Sequence, residues 1–127
     1  MAVILVVEDD PQLCDLAGMM IEDLGHDVVA TRTVSEALSA LQSPQKIDAL
    51  FTDINLDKAL FGGCDVARQA INLRPNLGVL YTTGNVVNDE LRARFVEGAT
   101  CLRKPYTLVQ LQSSIASLLA AKSTICA

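Results

Sequence analysis

Four short β-forming runs of the chain are each followed by polar residues whose chemistries complement one another. These polar residues are Glu8, Asp9, Asp10, Asp53, Thr83 and Lys104. Several carboxylates in one crevice raise one another's pKa unless a cation is present. Because neither His nor Cys stands among them, this set of oxygen ligands favours Mg²⁺ over a transition metal. The residue types therefore predict a magnesium site, if the fold brings them together.

Lys104 adds a second positive charge to this set. A divalent cation, a lysine and a free carboxylate are together suited to holding a phosphoryl group. A carboxylate can also be the nucleophile that accepts such a group. The set thus indicates phosphoryl chemistry, and the next question is which elements position it.

Short β-rich segments alternate with helical patterns along the whole chain. The predicted strands are residues 2–7, 28–31, 47–52, 78–82 and 100–103. A helical pattern follows each strand, and the fourth helix is expected over residues 86–97. Leu91 and Phe95 lie one turn apart in that segment, and Gly98 supplies a stop.

The first helix is expected to begin at Pro11 and to end before Gly25. The residues expected in its core stripe are Leu13, Leu16, Ala17, Met20 and Leu24. The residues expected to point outward or sideways are Cys14, Asp15, Gly18, Met19 and Glu22.

Five strand–helix units in succession predict an α/β fold with a doubly wound, five-stranded parallel sheet and helices on both faces. In the flavodoxin-like strand order 2-1-3-4-5, ligands bind beyond the carboxyl ends of neighbouring strands 1 and 3. The acidic run after strand 1 and Asp53 after strand 3 would meet there. Thr83 after strand 4 and Lys104 after strand 5 would arrive at the same edge.

Composition and charge exclude several other classes of protein. The 127 residues suit a single domain, and a net charge of -5 provides no basic face for nucleic acid. The apolar run at residues 1–7 is too short to span a membrane and lacks the basic flank of a secretory signal. The four cysteines are scattered and are expected to be reduced thiols of a cytoplasmic protein.

Four segments resemble the signature motifs of response-regulator receiver domains. They are residues 4–11, 51–56, 80–84 and 102–105, which occur in the family's order, and the resemblance extends over essentially the whole chain. The resemblance implies that Asp53 accepts a phosphoryl group. It also implies that Asp9 binds Mg²⁺ directly and that Glu8 binds it through water.

The same resemblance implies roles for three further residues. Asn55 would give its backbone carbonyl to the metal, and Thr83 would contact the phosphoryl oxygens. Lys104 would pair with the phosphoryl group, and the Lys104–Pro105 peptide bond would be cis.

The chain departs from the family's pattern in two places. The family usually has a proline four residues after the phospho-acceptor and a glycine eight after it, where this chain has Asp57 and Phe61. Gly63 fits the glycine if two residues are inserted, so the loop at residues 56–62 is expected to be longer. Many members carry Tyr or Phe three residues before the lysine, where Cys101 lacks the ring of the usual aromatic switch.

The resemblance implies a receiver of a two-component or phosphorelay system, phosphorylated by a sensor histidine kinase or a histidine-phosphotransfer protein. Such a domain catalyses only its own phosphorylation and dephosphorylation, and it signals through contact with a downstream protein. Both a stand-alone receiver and one excised from a hybrid kinase stay open. The alternatives are a degenerate receiver that acts as an unphosphorylated interaction module and a small Mg²⁺-dependent aspartyl phosphatase, which usually needs a cap for which the chain has no room.

Overall fold

The computed structural model describes residues 2–56 and 61–126, and the elements within them alternate between strand and helix. The strands are β1 (Val3–Val7), β2 (Asp27–Thr31), β3 (Ala49–Asp53), β4 (Gly78–Thr83) and β5 (Thr100–Arg103). The helices are α1 (Pro11–Asp23), α2 (Val34–Gln42), α3 (Gly62–Leu73), α4 (Asp89–Arg92) and α5 (Leu108–Cys126). None of the helices in this described part is long and apolar enough to cross a membrane.

The strands form one parallel sheet in the order β2-β1-β3-β4-β5, which confirms the predicted fold. The register places Val7 opposite Thr52 and Asp53 opposite Thr82, so the carboxyl ends of the central strands are level. Because β1 and β3 lie on either side of the point where the chain reverses its direction across the sheet, a crevice opens between their ends.

Two apolar layers hold the helices against the sheet. One layer packs α2, α3 and α4 on one face, and it contains fully buried Leu50 and Tyr81. The other packs α1 and α5 on the opposite face, around Phe51 and Leu111. Neighbouring residues of β3 thus point into opposite layers, which explains why this strand is a continuous apolar run in the sequence.

The buried face of α1 differs from the predicted one. Its buried residues are Cys14, Ala17, Gly18 and Ile21. Leu13 and Leu16 are 40% and 51% exposed, so the prediction that they join the core while Cys14 and Gly18 point outward is wrong. Helical spacing permits either face, and the helix turns the side with Gly18 towards β2, where a Cβ atom would lie at an ordinary contact distance of 3.7 Å from the Val28 side chain. Leu13 and Leu16 consequently lie on the more exposed side of the helix.

The predicted fourth helix over residues 86–97 is also wrong, because α4 is a single turn. It begins late since the Asn88 side chain accepts a hydrogen bond from the Leu91 N–H at 2.9 Å and so caps the helix. It ends early because the Arg94 and Phe95 N–H groups donate to carbonyls three residues back, and the Val96 N–H then donates to the Tyr81 hydroxyl rather than to the backbone one turn before. A side chain of the neighbouring strand thus interrupts a segment whose local pattern is helical.

Candidate functional site

The ends of β1 and β3 carry the two buried carboxylates of the site. Glu8 directly follows β1, and its N–H donates to the Thr31 carbonyl at 3.1 Å. Asp53 ends β3, and the next N–H, from Ile54, donates to the Thr82 carbonyl at 2.9 Å. These bonds extend the sheet ladder one residue past each strand. The backbone that carries the two carboxylates is therefore fixed. Both residues are buried, with 5% of Glu8 and 7% of Asp53 exposed.

Lys104 reaches the same crevice from β5. Its backbone N–H donates to the Thr83 carbonyl at 2.8 Å, and the Lys104–Pro105 bond is cis, as expected. Its Nζ lies 3.2 Å from Glu8 Oε1 and 3.4 Å from Asp53 Oδ2. One ammonium is thus shared between two carboxylates that stand on adjacent strands.

The site carries more negative charge than this lysine neutralises. Carboxylate oxygens of Glu8, Asp9 and Asp53 lie within 4.8 Å of one another. The pKa of Glu8 is raised from 4.5 to about 7, first by burial and then by its hydrogen bond and charge interaction with Asp53, against the opposing charge of Lys104. A proton or a cation is therefore favoured at Glu8 near neutral pH.

These residues fit a divalent cation. Glu8 Oε2 is buried and has no hydrogen-bond partner among the described residues, so it is available to a metal or to a metal-bound water. All the side-chain donors are oxygens, which Mg²⁺ prefers. The donor set thus agrees with the expected magnesium site.

Thr83 and Asn55 flank the carboxylates on the side towards α4. Thr83 is fully buried, and its Oγ1 accepts a hydrogen bond from the Asn85 N–H at 3.1 Å. The Asn55 N–H approaches Asp53 Oδ1 at 3.4 Å, and the Asn85 side chain donates to Asn55 Oδ1 at 3.2 Å. Two asparagines therefore bridge the loops after β3 and β4 at the mouth of the site.

Gly63 supports the backbone of Asp53 from behind. A Cβ atom on Gly63 would collide with the Asp53 carbonyl oxygen and would lie 2.7 Å from Ile54 Cα. The Gly63 N–H also donates to the Ile54 carbonyl at 2.7 Å. This position has no room for a side chain, whereas Phe61, which stands where the family usually has its glycine, carries one. Asp57 and residues 58–60 of the intervening loop lie outside the described residues.

The structure thus brings together Glu8, Asp9, Asp53 and Lys104, with Asn55 and Thr83 beside them. Asp10 is separate from this group: its side chain accepts hydrogen bonds from two backbone N–H groups and caps α1.

Sequence reasoning missed an apolar cavity of about 380 Å³ next to the carboxylates. Leu13 and Leu16 of α1 line one wall, and Pro105 and Tyr106 line another. Glu8, Asp53 and Lys104 also line it, so the charged site and the cavity are continuous. Leu13 and Leu16 were the available sequence signal for this cavity. The helical pattern assigned both of them to the core instead.

Comparison with known proteins agrees with this geometry. The family model for the response regulator receiver domain matches residues 4–116. A response regulator receiver protein from Sinorhizobium medicae is 30% identical, with a TM-score of 0.86 over 95% of this chain and 96% of its own. A receiver domain protein from Clostridium thermocellum is 27% identical, with a TM-score of 0.87 over 98% of this chain and 99% of its own. The chain therefore belongs to the response-regulator receiver family.

Proposed function

We propose that the chain is a phosphoacceptor receiver in which Asp53 takes a phosphoryl group from a phosphohistidine of a sensor histidine kinase or histidine-phosphotransfer protein. One observation carries this proposal: the Lys104 ammonium lies within 3.4 Å of carboxylate oxygens of both Glu8 and Asp53. A carboxylate nucleophile therefore already stands beside a cation that can bind the incoming group.

The transfer proceeds by displacement at phosphorus. A carboxylate oxygen of Asp53 forms the new bond to phosphorus, the P–N bond to the histidine ring breaks, and its electron pair returns to the imidazole. The product is an acyl phosphate on Asp53. Lys104 turns from the carboxylates to the phosphoryl oxygens, and Thr83 offers its hydroxyl to them once it releases the Asn85 N–H. Both contacts are charge-assisted hydrogen bonds.

Glu8, Asp9, Asp53 and the Asn55 carbonyl would hold Mg²⁺. The bound ion supplies positive charge that offsets the negative charge of the phosphoryl oxygens during transfer. Removing the ion leaves three carboxylates and one ammonium, whose net charge repels a phosphoryl donor. Phosphorylation should therefore need the metal.

The partner would dock on the wall of the cavity that α1 forms. Leu16 is 51% exposed there and offers an apolar contact beside Asp53. The acidic balance of the chain supports a protein partner rather than nucleic acid. In this proposal the chain modifies only itself, acts in the cytoplasm and signals through contact with a downstream protein.

Mass spectrometry after incubation with acetyl phosphate and Mg²⁺ tests this function. We expect one added phosphoryl group, which a chelator or the Asp53→Asn substitution abolishes. No addition under any condition would indicate a degenerate receiver. Steady turnover of an outside phosphomonoester would instead indicate a phosphatase. If Asp53→Asn accepts one group at the wild-type rate, the assignment of Asp53 is wrong.

A further inference from the structure

The segment after β4 contains a start signal and a stop signal for a helix longer than α4. Asn88 caps the beginning, because its side chain accepts a hydrogen bond from the Leu91 N–H. Gly98 has a φ of 79°, the left-handed conformation that commonly follows the last residue of a helix. Between these two signals nine residues could be helical, yet only Asp89–Arg92 are.

The hydrogen bonds after Arg92 show where the helix is interrupted. The Arg94 and Phe95 N–H groups donate to carbonyls three residues back, at 3.0 and 3.1 Å. In a continuous helix the Val96 N–H would donate to the Arg92 carbonyl, four residues back. It donates instead to the Tyr81 hydroxyl at 3.1 Å. Tyr81 therefore takes the donor that the next turn of helix needs.

Two ring contacts hold the residues just before Val96 in the same arrangement. The Phe95 ring lies 4.5 Å from the Tyr81 ring, with 32° between their planes. The Arg94 guanidinium lies 3.9 Å above the centre of the Phe61 ring, close to the start of α3. Three consecutive residues are thus each fixed by a different contact, so this segment is docked rather than a frayed helix end.

Tyr81 connects this segment to the site through β4. It is fully buried, and it lies two residues before Thr83 on the same strand. Its hydroxyl accepts the hydrogen bond from the Val96 N–H. A displacement of Thr83 towards Asp53 would move the end of β4, which carries the ring of Tyr81 with it.

We infer that the Tyr81 hydroxyl is a latch that stops α4 at Arg92, and that its release lets the helix extend to Glu97. This regulation rests on the proposed function, because the phosphoryl group on Asp53 draws Thr83 inward and so loosens the latch. The released Val96 N–H then needs a new partner. The Arg92 carbonyl, which now accepts the Phe95 N–H, supplies it in the extended helix, where Phe95 donates to the Leu91 carbonyl instead. The surface that a downstream protein meets would thereby change from a docked segment to a helix.

Tyr81→Phe tests the latch without the phosphoryl group. It removes the hydroxyl and keeps the ring that packs on Phe95. We expect the ¹³Cα chemical shifts of residues 93–97 to become helical, while those of the strands stay at their wild-type values. The matched control is Tyr106→Phe, which removes a tyrosine hydroxyl on the opposite layer of the fold and should leave residues 93–97 unchanged. Unchanged or random-coil shifts at residues 93–97 in Tyr81→Phe would overturn the inference.

Two further measurements extend this test, and the first of them does not depend on how well that variant folds. In the wild-type protein, the Val96 amide should exchange with solvent roughly tenfold more slowly than an unbonded amide, as one hydrogen bond would give. An unprotected Val96 amide would mean that the latch is absent. In Tyr81→Phe/Val96→Pro, proline removes the donor and blocks the helix interior, so residues 93–97 should not become helical.

The coupling between the phosphoryl group on Asp53 and the Tyr81 latch is tested with Mg²⁺ and beryllium fluoride, which stands in for the phosphoryl group. The wild-type shifts at residues 93–97 should move in the same direction as those of Tyr81→Phe. If shifts around Asp53 respond but residues 93–97 do not, the latch is not coupled to the site. If nothing responds around Asp53, the proposed function fails, while the Tyr81→Phe result still decides the latch.

Discussion

Replacing Glu8 with glutamine should remove a pH-dependent loss of stability, measured as the free energy of unfolding, that the folded protein has in the absence of metal. The pKa of Glu8 is raised from 4.5 to about 7 by burial and by Asp53. Between these two values the folded protein binds more protons than the unfolded chain. Stability therefore falls as pH rises from 4.5 to 7 and then stays level with respect to this group. The shift corresponds to about 3 kcal/mol in the free energy of unfolding.

Glu8→Gln cannot ionise, but its amide can still accept a hydrogen bond from Lys104 and donate one to Asp53. Urea unfolding in the presence of a chelator should therefore show the difference between variant and wild type changing by about 3 kcal/mol between pH 4.5 and pH 8, in favour of the variant. Excess Mg²⁺ favours the ionised carboxylate and should flatten the wild-type pH dependence.

The exposed Glu22 of α1 offers a matched control, since Glu22→Gln removes a carboxylate that is not buried. This control should follow the wild-type pH dependence. If the curves of wild type and Glu8→Gln run parallel from pH 4.5 to pH 8, burial does not raise the pKa of Glu8, and the electrostatic argument for a cation at this position fails.

Four other variants or ligands test separate parts of the site. Gly63→Ala should lower the free energy of unfolding by more than about 2 kcal/mol in urea titrations, because its methyl group meets the backbone after β3; a stable variant would show that this backbone can move. Asn55→Leu should slow loss of the acyl phosphate several-fold, since an amide that can orient a water is removed, and an unchanged lifetime would contradict that role. Leu16→Arg should slow transfer from a phosphorylated partner but not from acetyl phosphate, with Met19→Arg, which is 62% exposed and does not line the cavity, as its control; equal slowing of both reactions would indicate damage to the fold. Mg²⁺ with beryllium fluoride should move the amide shifts of residues 83–88 more than those of β5, and the largest distal shifts in β5 would refute a backbone route from the site.

The strands and the residues at their ends could be predicted because a parallel sheet covered on both faces needs continuous apolar runs. Asp53 ends such a run and Glu8 directly follows one, so their meeting point depends only on strand order. The polar residues of the site could be identified in the sequence because each of them stands at the end of an apolar run.

The two wrong helix predictions share a cause that lies outside the local sequence. In α1, the rotation of the helix about its own axis against the sheet decides whether Leu16 or Gly18 faces inward, and helical spacing alone permits either. In α4, the Val96 N–H finds a hydroxyl that is fifteen residues away in the chain. Partners contributed by another element cannot be read from periodicity, which reports only the segment's own preference.

The position of Lys104 bears on the order in which ligands bind. Its ammonium contacts two carboxylates that would also hold a divalent cation. The lysine and the ion would therefore compete for these carboxylates, so the lysine lowers the affinity for the ion and offsets part of their repulsion when no ion is bound. The displaced ammonium is then free for phosphoryl oxygens, so metal and phosphoryl donor should each strengthen the binding of the other by the same factor. The lysine thus couples two ligands that need never touch it at the same time.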